Sequence, residues 1–152
     1  MVINGEKQEN KIITKRLFLG EYQPNLTKGA RLALPKKIRE VFGENNRIIL
    51  SRGFENCIFG FTPDAWEIES QKNLDASTGD KRSRMLKRYL FSGAYEIDLD
   101  AQGRVVLPKS LLTYSGLQEE SGAMLIGAGD HFEIWDKDSW GKIFETLEGQ
   151  VV

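Results

Sequence analysis

Leu17-Phe18-Leu19-Gly20-Glu21-Tyr22, continued through Arg31-Leu32-Ala33-Leu34-Pro35-Lys36, returns as Leu90-Phe91-Ser92-Gly93-Ala94-Tyr95 through Arg104-Val105-Val106-Leu107-Pro108-Lys109. The offset is 73 throughout, and 9 of the 20 positions are identical: Leu17, Phe18, Gly20, Tyr22, Leu26, Arg31, Leu34, Pro35 and Lys36. Self-similarity at constant spacing marks a duplicated unit. Most of the identical positions have a packing or turn role. Arg31 and Arg104 need none, so they point to a site presented twice.

Each copy follows one plan. A strand comes first, Leu17–Pro24 or Leu90–Leu99, then a tight turn, then a second strand ending at Leu34 or Leu107. Asp100-Ala101-Gln102-Gly103 fits a type I turn closed by a glycine at positive φ, a common hairpin device. Before it, Tyr95, Ile97 and Leu99 alternate with Glu96 and Asp98, the period of a half-buried strand. Pro35 and Pro108 suit the first turn of a helix, where a missing N–H is not needed. Ile38, Val41 and Phe42 then form an apolar stripe, as do Leu111, Leu112 and Leu117, and Gly43 and Gly116 are the stops.

A buried strand pair follows in each copy: Ile48–Leu50 with Cys57–Phe61, and Met124–Ile126 with Phe132–Trp135. Gly53 and Gly129 punctuate the turns between them. Thr62 and Asp136 then read as helix N-caps, each with acid in the following turn. Trp66 and Trp140 occupy matching places in these last helices, where a tryptophan is read as core. Residues 17–72 therefore form the first repeat and residues 90–145 the second. Residues 73–89 join them, with a basic helix from Lys81 to about Tyr89 carrying Lys81, Arg82, Arg84, Lys87 and Arg88. Residues 1–16 read as a polar, mildly basic N-terminal extension, and residues 146–152 as a C-terminal tail.

The chain has 152 residues, 40% hydrophobic and 28% charged, enough for one good core or two small ones. No apolar run is long enough to span a membrane, and residues 1–16 lack the apolar stretch of a signal peptide. The single cysteine, Cys57, cannot form an internal disulfide and reads as a buried thiol. These features lead to the expectation of a cytoplasmic protein. Net charge is −1, but it is unevenly spread: residues 1–52 hold 11 Lys/Arg against 5 Asp/Glu, and the remainder 10 against 17. A basic half and an acidic half can offer two complementary faces.

Catalysis has little support, and the expectation is that the chain is not an enzyme. His131 is the only histidine and stands beside Asp130 in a loop. No zinc spacing, nucleophile elbow, phosphate loop or dinucleotide fingerprint is present, so no cofactor or metal is expected. The repeated turns carry the stronger signal. A hairpin tip can bring an arginine to an anionic surface, and the planar guanidinium fits phosphate or the O6/N7 edge of guanine. Arg104 with Gln102 in the second turn, and Lys28 with Arg31 in the first, are the candidate contacts. Asp100 is read as holding the turn amides or orienting Arg104. From the residues alone, solvated surface turns and DNA contacts both stay open.

These residues resemble the MraZ family of bacterial transcriptional regulators, whose two repeats look related to the AbrB-type swapped-hairpin DNA-binding domain. The second copy carries the family's element in full: Asp100, Gly103, Arg104, Leu107 and Pro108, after Phe91-Ser92-Gly93-Ala94. Phe18-Leu19-Gly20-Glu21-Tyr22-Gln23, Gly53, Trp66, Glu133-Ile134-Trp135 and Trp140 also stand in register, so the resemblance spans roughly residues 17–145. The first copy departs from the pattern. Thr27 replaces the aspartate, and Gly29-Ala30 moves the glycine one place, which implies another turn type and another aim for Arg31.

The resemblance implies an α+β fold in which two pseudo-symmetric hairpin-and-helix repeats interlock into a small barrel with helices outside. It implies a ring of identical subunits on double-stranded DNA, at direct repeats upstream of the protein's own division and cell-wall operon, and hence a nucleoid association. Asp100 and Arg104 carry over to the DNA motif, and Arg31 with them; Lys28 and Gln102 are added from position and chemistry. The competing reading is a ring that binds a partner protein, and the resemblance implies a neighbouring rRNA methyltransferase for that role. A small hydrolase is a third class, for which no triad or metal set is found.

Overall fold

The computed structural model describes residues 17–120 and 122–151. The N-terminal extension read at residues 1–16 lies outside the described residues. In chain order the elements are β1 (Glu21–Tyr22), β2 (Leu26–Thr27), β3 (Arg31–Ala33), α1 (Lys36–Phe42), β4 (Arg47–Arg52), β5 (Ile58–Phe61), α2 (Pro63–Leu74), α3 (Lys81–Ser92), β6 (Ala94–Asp98), β7 (Arg104–Val106), α4 (Lys109–Ser115), β8 (Ala123–Gly127), β9 (Phe132–Asp136) and α5 (Lys137–Val151). The class is mixed α+β, with five helices and two antiparallel sheets among the described residues.

The larger sheet has the order β1-β8-β9-β5-β4-β6 and the smaller β2-β3-β7. Both mix the two repeats. β1 leaves its own repeat and pairs with β8, placing Tyr22 opposite Leu125; β6 does the reciprocal, placing Tyr95 opposite Leu50 on β4. The pairing reveals a pseudo-two-fold axis. Leu32 and Val105, equivalent at the offset of 73, face each other across β3 and β7. Phe59 and Glu133, equivalent at the offset of 74 that relates Trp66 to Trp140, face each other across β5 and β9. Equivalent residues meet only where an axis passes between them, so one axis runs through both sheets. No closed barrel forms among the described residues: the larger sheet ends at β1 and β6, and the smaller one stays separate.

The core is shared between the repeats. Phe18, Leu32, Ile38, Ile48 and Leu50 from the first pack with Val105, Leu111, Leu125, Phe132 and Ile134 from the second, all nearly or wholly buried. Phe18, Phe42 and Phe132 form its aromatic centre, with edge contacts at 5.3 Å and 6.4 Å to Phe132. Neither repeat retains this core alone, because each completes the other's sheet.

Two expected strands are shortened. Over Leu17–Pro24 only Glu21–Tyr22 is a strand, with Phe18 in an isolated bridge to Gly129. At the matching place in the second copy, Leu90-Phe91-Ser92 ends α3, and β6 starts only at Ala94. One sequence thus has two conformations, because α3 runs into the second copy. Of the two stripes, Ile38, Phe42, Leu111 and Leu117 are buried and Val41 and Leu112 half-buried, and Gly43 and Gly116 end their helices at positive φ. Thr62 caps α2 by accepting from the Ala65 N–H at 3.1 Å, and Asp136 accepts from the Ser139 N–H at 3.1 Å. Trp66 and Trp140 are half-buried rather than core. The basic stretch of α3 is partly spent on the linker. Lys87 Nζ donates to the Ala76 carbonyl, and Arg84 Nη1 to the carbonyls of Thr78 and Gly79. α5 continues to Val151, through most of the stretch read as a tail. No helix among the described residues is long and apolar enough to cross a membrane.

Candidate nucleic-acid interface

Asp100 organises the second turn. Its Oδ1 accepts from the backbone N–H groups of Gln102 and Arg104, each at 2.9 Å, and its Oδ2 from Arg104 Nε at 2.8 Å. The backbone closes the same turn: the Gly103 N–H donates to the Asp100 carbonyl at 3.0 Å, and the Asp100 N–H to the Arg104 carbonyl at 2.9 Å. The Arg104 N–H is the main reason that the Asp100 carboxyl is held below the usual carboxylate range. Desolvation opposes it, and the Arg104 guanidinium and the Gln102 N–H reinforce it. Asp100 therefore orients Arg104 rather than meeting an anion itself.

Gly103 has φ +73, and a Cβ there would lie 2.6 Å from Arg39 Cδ. Arg39 braces this turn from α1, its Nε donating to the Leu34 carbonyl at 3.1 Å. Gln102 is exposed at the tip.

The first turn is built differently. Thr27 Oγ1 donates to the Arg31 carbonyl at 3.2 Å and cannot replace the carboxylate. Gly29 and Ala30 are both at positive φ, +84 and +61, whereas the second turn needs only Gly103 there. The Gly29 N–H donates to Glu119 Oε1 at 3.0 Å, a group 90 residues away that no local signal reveals. Among the described residues Arg31 makes a long 3.5 Å contact from Nη1 to the Lys28 carbonyl, and none of their acids holds its guanidinium as Asp100 holds that of Arg104.

Strand pairing assembles the two turns into one surface. Across β3 and β7, Arg31 faces Val106 and Arg104 faces Ala33, while Leu32 and Val105 between them point into the core. Side chains alternate across a strand, so Arg31 and Arg104 share the outward face. They are diagonal neighbours on that face, within reach of long side chains. Val106, 52% exposed, lies beside them. The tips diverge because β3 and β7 are antiparallel. Lys28 stands at one end of the pair and Gln102 at the other, so these two are not brought together.

The remaining titratable groups form other settings. His131 Nδ1 lies 2.7 Å from Asp130 Oδ1, and Nε2 lies 2.8 Å from Glu133 Oε2. Burial pulls the imidazole pKa down, but the hydrogen bonds and charges of Glu133 and Asp130 outweigh it and raise the net value above 6.5. Burial pushes the Cys57 thiol well above its ordinary range, and its S–H donates to the Phe54 carbonyl at 3.3 Å. No three His, Cys, Asp or Glu side chains gather as a metal set among the described residues.

A protein-family model described as "MraZ protein, putative antitoxin-like" matches residues 17–89 and again 90–150. The two matches together take in both turns and every residue of the interface described above.

Proposed function

The chain belongs to the MraZ family, and from that premise we propose that it is a sequence-specific DNA-binding transcriptional regulator. The observation that carries the reading is the shared outward face of β3 and β7, where the pseudo-two-fold presents Arg31 and Arg104 side by side. A short two-stranded ribbon with arginines on its outer face fits the major groove, where a guanidinium bonds guanine O6 and N7 or a phosphate. In this reading Arg104, oriented by Asp100, is the principal contact. Gln102, Arg31 and Lys28 extend it along the groove, and no catalytic step is assigned to the chain. The reciprocal exchange of β1 and β6 supports the swapped-hairpin relationship to AbrB-type domains.

One protomer has few cations on this face and a net charge of −1. Affinity then comes from linking several weak contacts in a ring-shaped homo-oligomer on direct repeats, with subunit contacts through the outer helices. Leu74 on α2, Met85 on α3, and Phe144 and Leu147 on α5 are exposed, which supports such contacts. Following the family resemblance, the proposed targets are repeats upstream of the protein's own division and cell-wall operon, with the protein at the nucleoid.

The same exposed helices, with the antitoxin-like description of the family, favour one further reading: a ring that binds a partner protein, such as the neighbouring methyltransferase. Salt separates the two. Fluorescence anisotropy on DNA from the upstream region, against a shuffled control, should show preference for the native sequence and a steep salt slope, because neutralised phosphates release counterions. Equal, weak binding to both DNAs would discard the regulator reading in favour of the partner protein.

A further inference from the structure

A cavity of about 250 Å³ lies between the larger sheet and the helix pair α2/α3, on the side of the sheet away from the shared core. Its walls are Phe54, Phe59, Phe61, Trp66 and Phe91. Burial orders it from floor to mouth. Ser51 and Phe61 are 1% and 4% exposed, whereas Leu86 and Phe54 are 40% and 48% exposed.

The Ser51 hydroxyl is fully buried and has no hydrogen-bond partner, alone in this among the described side chains. Buried polar groups are ordinarily paired, so an orphan on a strand calls for a reason. Folding supplies none. Ser51 ends the run Ile48-Ile49-Leu50, and the position equivalent by pairing in the second repeat is apolar: Ser51 faces Ala94, and Ile126 faces Glu21. The sheet accepts isoleucine in one copy and holds an unpaired hydroxyl in the other, at the foot of the aromatic cavity.

We propose that this cavity binds a neutral monocyclic phenol, its ring held by the aromatic walls and its hydroxyl paired with Ser51 Oγ. The size fits one ring, since an apolar cavity of roughly 150 Å³ already holds benzene. The aromatic walls favour an aromatic guest through edge and offset contacts. One floor hydroxyl matches one ligand hydroxyl, each donating or accepting. It cannot compensate a buried charge, and the Glu69 carboxylate in the lining disfavours an anion. A cation gains little from Glu69, which already pairs with Lys72 at 3.5 Å. The other polar side chain of the lining, Asn73, is already engaged, its Nδ2 donating to the Glu69 carbonyl at 3.0 Å.

The test is calorimetric titration of the full-length protein with p-cresol and with toluene, its isostere without the hydroxyl. p-Cresol should bind at one per chain and more tightly than toluene. Ser51→Ala should weaken p-cresol about 3- to 10-fold, the range of one net hydrogen bond, and leave toluene within two-fold. Leu86→Trp, on the exposed face of α3, should close the mouth and abolish both while the circular dichroism is unchanged. Failure of p-cresol to bind overturns the proposal. Equal binding of the two compounds, or a Ser51→Ala protein that binds p-cresol as before, overturns it too. None of these results depends on whether the protein binds DNA.

Discussion

Arg104→Ala should sharply weaken DNA binding while the protein still folds and assembles. The backbone of the turn survives the change: the Arg104 N–H still reaches Asp100 Oδ1, and its carbonyl still accepts from the Asp100 N–H. The lost ion pair is partly solvent-exposed on both sides, so its removal should barely alter stability. Nε is engaged by Asp100, which leaves the Nη edge to make one bidentate contact per subunit. Such a contact is worth roughly 1–3 kcal/mol, or about 5- to 150-fold in affinity for each engaged subunit. With two subunits engaged the factors multiply to at least about 25-fold. The assay is anisotropy on the native upstream DNA across a salt series, with sedimentation as the control for assembly. The slope adds a second readout. It falls by about 0.9 per subunit if Arg104 meets phosphate, and much less if it reads a guanine edge. Arg47→Ala serves as a neutral control, since Arg47 pairs with Glu96 at 3.1 Å on the far edge strand β6. Affinity within two-fold of the parent, with an unchanged slope, would refute the assignment of Arg104.

Three further outcomes follow from the same geometry. Thr27→Asp gives Arg31 the acid it lacks and should tighten DNA binding a few-fold, more so combined with Glu119→Gln; no change or a loss would mean that the first turn has another role. Ala30→Gly relieves a side chain held at φ +61 and should stabilise the protein by about 0.5–1 kcal/mol in urea unfolding, net of the entropy glycine adds to the unfolded chain. The raised His131 pKa implies stability fully present below the unfolded value, near 6.5, and lost as pH rises through the folded one. The stability difference between the parent and His131→Gln should therefore shrink as pH rises above about 6.5, and a difference that stays constant would show that the imidazolium does not contribute.

The duplication was legible as a repeat at a constant offset of 73, and the turn positions and the Asp100–Arg104 element were legible because each depends on neighbours a few places apart. Asp100 reaches its three donors within four residues, and Ile38 and Phe42 share a helix face whatever surrounds them. The hairpin pairs β4/β5 and β8/β9 were legible from the short turns between them, but partners across the two repeats were not, since a strand's pattern states which side is buried and not which distant strand lies alongside. The exchange of β1 and β6, the axis through Leu32/Val105, and the outward face shared by Arg31 and Arg104 arise from contacts spanning the chain. So do the Glu119 carboxylate on the first turn and the orphan hydroxyl of Ser51 under α2 and α3. Leu17-Phe18 and Leu90-Phe91 make the distinction plainest. The residues are the same, but one pair runs into the sheet and the other ends a helix, because only the second has α3 before it.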